Sequence, residues 1–130
     1  MPTGSHPTPK PATTYSQLLG QVVLQQRKAR GLTQAQLAEH LQLTQSGYSR
    51  LERGDTHFTA PQLRRTAEAL GVTPAALLKV ADDAARRLAG QGVTVLDDRP
   101  KVGSENTNGW LWVAAAVLVA AVLLAKKGKS

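Results

Sequence analysis

The chain has 130 residues, enough for one small domain with appendages and too few for two full ones. Sixteen Lys and Arg against nine Asp and Glu leave a net charge of +7, a balance that favours nucleic acid or an anionic membrane surface as partner. Cysteine is absent, which excludes a disulfide framework, a thiolate metal site and a cysteine nucleophile.

Residues 1–14 hold four prolines and nothing to bury, and are expected to form a disordered tail. They contain no apolar stretch of the signal-peptide kind. From Tyr15 to Gly90 the text is punctuated like a bundle of short helices. Leu18, Leu19, Val22 and Val23 give one helical stripe, which Gly31 suits to stop. Thr33 followed by Gln36 forms a capping box for a second helix carrying Leu37, Ala38 and Leu41. Thr44 caps a third that ends at Gly54. Thr59 and Gln62 box a fourth with Leu63, Ala67 and Leu70, stopped by Gly71. Thr73 caps a fifth, with Pro74 at its first position and an extension to Ala89. Leu77, Ala81, Ala84 and Leu88 then fall at heptad spacing, either as a dimer seam or as ordinary core. No stretch of this segment sustains period-two alternation, so an all-α domain over 15–89 is expected.

Residues 90–109 are rich in Gly, Asn, Ser and Asp and are expected to be a flexible linker, with a short strand an alternative for Val93–Leu96. A run without a charged residue follows, from Gly109 to Ala125. As a helix it is about 25 Å long, the low end for crossing a hydrocarbon core of about 30 Å. Trp110 and Trp112 at one interface and snorkelling Lys126 and Lys127 at the other extend it, so 110–125 is expected to be a transmembrane helix with a basic tail at 126–130. A helix docked on another protein is the alternative.

Helices two and three are separated by Gln42 and Leu43 alone. The residues LTQAQLAEHLQLTQSGYSRLERG (32–54) resemble the phage repressor and Cro-type (XRE) helix-turn-helix family. The resemblance extends over roughly 17–80, and its signatures are Gly31-Leu32-Thr33-Gln34, Leu37-Ala38, Ser49 to Gly54, and Ala69-Leu70-Gly71-Val72. It implies a five-helix lambda-repressor-like domain that binds double-stranded DNA as a homodimer, with helix three in the major groove and helix two across the backbone. Carried over by position, Gln34 would meet a phosphate at the start of helix two. Thr44, Gln45, Ser46, Ser49 and Arg50 would form the DNA-facing side of helix three, where Gln suits adenine and Arg suits guanine. Tyr48 and Leu51 would point into the core. Arg27, Lys28, Arg30, Arg53, Arg64 and Arg65 are further candidates for phosphate contact, or simply a solvated face.

The chain departs from the family pattern in three places. Gln42 stands where the usual turn residue is Gly, which implies a left-handed backbone at a non-glycine. Tyr48 is bulkier than the usual Ile or Val, and the loop Asp55-Thr56-His57-Phe58 lacks the basic residues common there.

His6, His40 and His57 have no metal-ligand partners at useful spacing, and Asp82 and Asp83 do not converge on one helix face. No phosphate-binding glycine loop or nucleophile elbow is present. A non-enzyme without cofactor or metal is expected. The leading functional expectation is a sequence-specific transcriptional regulator held by one pass in the bacterial cytoplasmic membrane, its N-terminal domain in the cytoplasm. The alternative is a membrane-tethered scaffold of the RodZ type, in which the same fold binds a protein partner.

Overall fold

The computed structural model describes residues 11–97. Five helices, α1 (Tyr15–Ala29), α2 (Gln34–Leu41), α3 (Gln45–Arg53), α4 (Ala60–Leu70) and α5 (Pro74–Gly90), are bracketed by two short strands, β1 (Ala12–Thr14) and β2 (Thr94–Leu96).

Every helix begins on a threonine. The hydroxyls of Thr14, Thr33, Thr44, Thr59 and Thr73 accept from the third helical amide, and in α1, α2 and α4 a Gln there returns the bond. Each cap satisfies backbone donors that the helix leaves open and contributes about 1 kcal/mol. Helix α2 ends on Gln42 at φ 59°, and α3 and α4 end on Gly54 and Gly71 in the same left-handed region.

Helix α1 lies at the centre, packed on α3 and α5, while α2 packs on α3 and α4. The main core joins Leu19, Val22 and Val23 to Leu37, Leu41, Tyr48, Leu51, Leu70 and Leu77. At the α1–α3 crossing, Gly20 permits direct backbone approach, because a Cβ there would stand only 2.8 Å from the Leu51 carbonyl oxygen.

The structure differs from the sequence reading at both ends of the bundle. Residues 12–14, assigned to a disordered tail, form a strand that pairs in parallel with β2, Ala12 opposite Thr94 and Thr14 opposite Leu96. Thr13 and Thr14 are fully buried. They are held because Thr14 caps α1 and the Thr13 hydroxyl donates to Gln17 Oε1 at 2.9 Å. The domain is therefore mostly helical with a small parallel sheet, not all-α. The chain stays ordered beyond Gly90, within the stretch assigned to a linker, since Val93 and half-buried Val95 join Leu18, Ala84 and Leu88 in a second apolar cluster.

That cluster also decides the heptad. Leu77, Ala81, Ala84 and Leu88 are all buried within the chain's own core, so this stripe is not a free dimer seam. Among the described residues no helix is long and apolar enough to cross a membrane. The apolar run with Trp110, Trp112, Lys126 and Lys127 lies outside the described residues.

Candidate nucleic-acid interface

Helix α3 divides cleanly. Tyr48, Leu51 and Glu52 are buried, and the other side carries exposed Thr44, Gln45, Ser46 and Arg50 with half-buried Ser49. The division follows from helical spacing, since positions 45, 46, 49 and 50 share one face. Thr44 is fixed by its cap, accepting from the Gly47 amide at 3.0 Å and lying 3.3 Å from the Ser46 hydroxyl. The turn from α2 is rigid, with Gln42 held left-handed and the Leu43 amide donating to the Ala38 carbonyl at 2.8 Å.

Neither α2 nor α3 has an acidic residue in its first turn. The positive ends of both helix dipoles therefore face outward uncompensated, which favours an anion. Exposed Lys28, Arg30, Arg64 and Arg65 add positive charge on α1, beside its end, and on α4.

Two candidates behave differently from the sequence reading. Arg27 is buried and belongs to the core, where its Nε and Nη2 reach Glu52 at 2.6 and 3.2 Å and its Nη1 donates to the Leu32 carbonyl at 2.9 Å. It is unavailable to a phosphate, and its hydrogen bonds to Glu52 raise its already high pKa. Arg53 is exposed but turned to Asp55, with Nε 3.1 Å from Oδ2. Gln34 stands at the start of α2 as expected, yet its side chain is half-buried and its Nε2 donates to Glu52 Oε1 at 2.9 Å.

Glu52 is the residue that sequence reasoning passed over. It lies within a quoted motif, but its partners Arg27 and Gln34 come from other helices, so nothing local signals its role. The Tyr48 hydroxyl also donates to it, at 2.8 Å. The bulky side chain at position 48 thus has a polar purpose: it satisfies a buried carboxylate.

Two short helices held at a rigid turn, the second with one buried and one polar face, define a helix-turn-helix domain. Residues 23–77 match the helix-turn-helix family model, and this segment is a helix-turn-helix domain of the XRE type. The chain is similar to the clp gene regulator ClgR from Corynebacterium glutamicum, at 28% identity and a TM-score of 0.57, over 59% of this chain and 82% of that one. A second structure of that regulator aligns at 28% identity and a TM-score of 0.51, over 54% of this chain and 91% of that one. The restriction-modification controller protein C.AhdI from Aeromonas hydrophila aligns at 31% identity and a TM-score of 0.45, over 47% of this chain and 92% of that one. No curated protein sequence matches the chain.

Proposed function

We propose that the chain is a DNA-binding transcriptional regulator that reads a specific duplex sequence with the polar face of α3. The observation that carries this reading is the exposed Gln45, Ser46 and Arg50 face, set on a rigid turn beside two helix N-termini that bear no acidic residue. Groove readout needs such a face: hydrogen-bonding side chains on an ordered helix, with donors nearby for the backbone. The similarity to a gene regulator supports the same class. A buried heptad on α5 places any homodimer contact elsewhere on the domain.

The reading includes anchoring of the domain to a bacterial cytoplasmic membrane through residues 110–125, with the DNA-binding domain on the cytoplasmic side. Its support is the uncharged run from Gly109 to Ala125, flanked by Trp110, Trp112, Lys126 and Lys127. Salt and carbonate do not release a helix held by apolar burial, so the full-length chain should stay with the membrane pellet under both treatments.

The test of DNA binding is selection of duplexes from a random-sequence pool by the full-length chain in detergent. An enriched motif is the expected result, and recovery of no motif would favour a protein-binding scaffold instead. On the selected duplex, Arg50→Ala should weaken binding by about 1–3 kcal/mol at fixed salt. Its melting temperature should not move, because an exposed side chain leaves no cavity.

A further inference from the structure

Glu52 has 1% of its surface exposed, and its two oxygens take four donors. Oε2 accepts from Arg27 Nε and the Tyr48 hydroxyl, and Oε1 accepts from Arg27 Nη2 and Gln34 Nε2. A carboxylate has about four acceptor sites, so this one is saturated. Arg27 and Tyr48 are core residues. Gln34 is the member of the set that reaches the surface, and it does so at the first residue of α2, beside the polar face of α3.

The chemistry of Glu52 fixes which way Gln34 faces. A carboxylate only accepts, so the carboxamide must bring its nitrogen inward. One N–H is spent on Glu52. The other N–H remains, in a plane set by the first bond, next to backbone amides at the N-terminus of α2 that themselves favour an anion.

We propose that Glu52 is a positioning residue for DNA binding, which holds the Gln34 carboxamide so that its second N–H is a preset donor to a backbone phosphate. This inference rests on the DNA-binding reading above. A Gln side chain on a free surface loses rotamer freedom when it binds. Here that ordering is completed on folding, by a bond to a buried ion pair. The pair thus serves the interface without touching it. A neutral donor displaces no counterion, so the contact adds affinity without steepening its dependence on salt.

The experiment is a double-mutant cycle on the full-length chain in detergent, measured on the duplex selected from the random pool. Gln34→Ala removes the donor. Glu52→Gln keeps shape but offers its own N–H groups, which frees the Gln34 amide to turn over. Each should weaken binding about tenfold, the worth of one well-placed hydrogen bond. Together they should weaken it little more than either alone, with the salt slope unchanged in all four proteins. Tyr48→Phe is the control, since it removes a donor from Oε2 and leaves the Gln34 bond in place; it should lower the melting temperature and leave affinity alone.

Full additivity of the two losses overturns the proposal, as does Gln34→Ala binding like the wild type. If Glu52→Gln does not fold, Gln34→Glu replaces it in the comparison. A carboxylate at 34 is repelled by Glu52 and cannot donate, so it should bind more weakly than Gln34→Ala, and equal or tighter binding overturns the proposal. Failure of the wild type to enrich any duplex removes the DNA-binding reading and this inference with it. Failure of the cycle alone leaves DNA binding standing.

Discussion

At the scale of single residues, the charged side chains divide into those that hold the fold and those left at the surface. Arg27 and Arg50 are both arginines on helices, but the first is 8% exposed and bound to Glu52, and the second is exposed. Arg27→Met should therefore destabilise the domain by about 3–5 kcal/mol in urea unfolding, because it strands a buried carboxylate. The tyrosines carry a pH dependence. Burial, and then the hydrogen bond to Asp82, push Tyr15 up to about 12 from the ordinary 10.0. Burial and the bond to Glu52 raise Tyr48 as well. In the unfolded chain both lose their proton near the ordinary value, so over that interval the unfolded state binds fewer protons than the folded one. Stability should be unaffected by these groups below pH of about 10 and fall as pH rises through about 12. Tyrosinate absorbance should show both rings titrating late in the native chain and normally in urea.

At the scale of elements, what could be read in advance was what is local. Thr33, Thr44, Thr59 and Thr73 could be recognised as caps because cap and capped amide lie three residues apart, and the helices begin where those residues say. The left-handed turn at Gln42 was equally legible, from its position between two capped helices. A non-glycine there is strained by about 1 kcal/mol, and no packing requires the side chain, which is exposed. Gln42→Gly should raise stability by about 0.5–1 kcal/mol, less whatever flexibility glycine adds to the unfolded chain, as measured by the urea midpoint. The cap at Thr14 was missed for a different reason. It sits beside a proline-rich run, and its burial depends on β2, at the far end of the domain. The bond from Gln34 to Glu52 was missed likewise: the face of a helix can be read from spacing, but the partner across an interface cannot. Arg27 shows the same limit, because in sequence it is one member of a basic run and only the fold distinguishes it from Lys28.

At the scale of the whole molecule, the family match at 23–77 leaves the start of α1, the end of α5 and both strands outside it. These additions are joined to one another. Leu18 from the start of α1 meets Ala84 and Leu88 from the end of α5 and Val93 beyond it, and the Thr94 amide donates to the Pro11 carbonyl at 2.9 Å. The effect is to bring the entry and exit of the domain side by side. A chain continuing from β2 therefore leaves next to the cap of α1. From there Gln17 packs against Gly54, where a Cβ would come within 2.5 Å of the Gln17 Cα, so the exit lies two contacts from the end of α3.

The pairing of β1 with β2 also orders events in time. Each strand has three residues, far too few to hold together unless the helices between them are already packed. Their partners lie at opposite ends of the described chain, so closing them waits on nearly every other contact. The sheet should be the last piece to assemble and the first to come apart, opening and reclosing while the bundle remains intact. Amide exchange at Thr94 should accordingly outpace exchange at Leu51 by orders of magnitude and be insensitive to low urea, whereas equal protection at the two sites would mean that strands and bundle unfold as one. A momentary release at this seam frees both chain ends at once, and the Thr14 cap with them, long before the helix that faces outward has lost its shape.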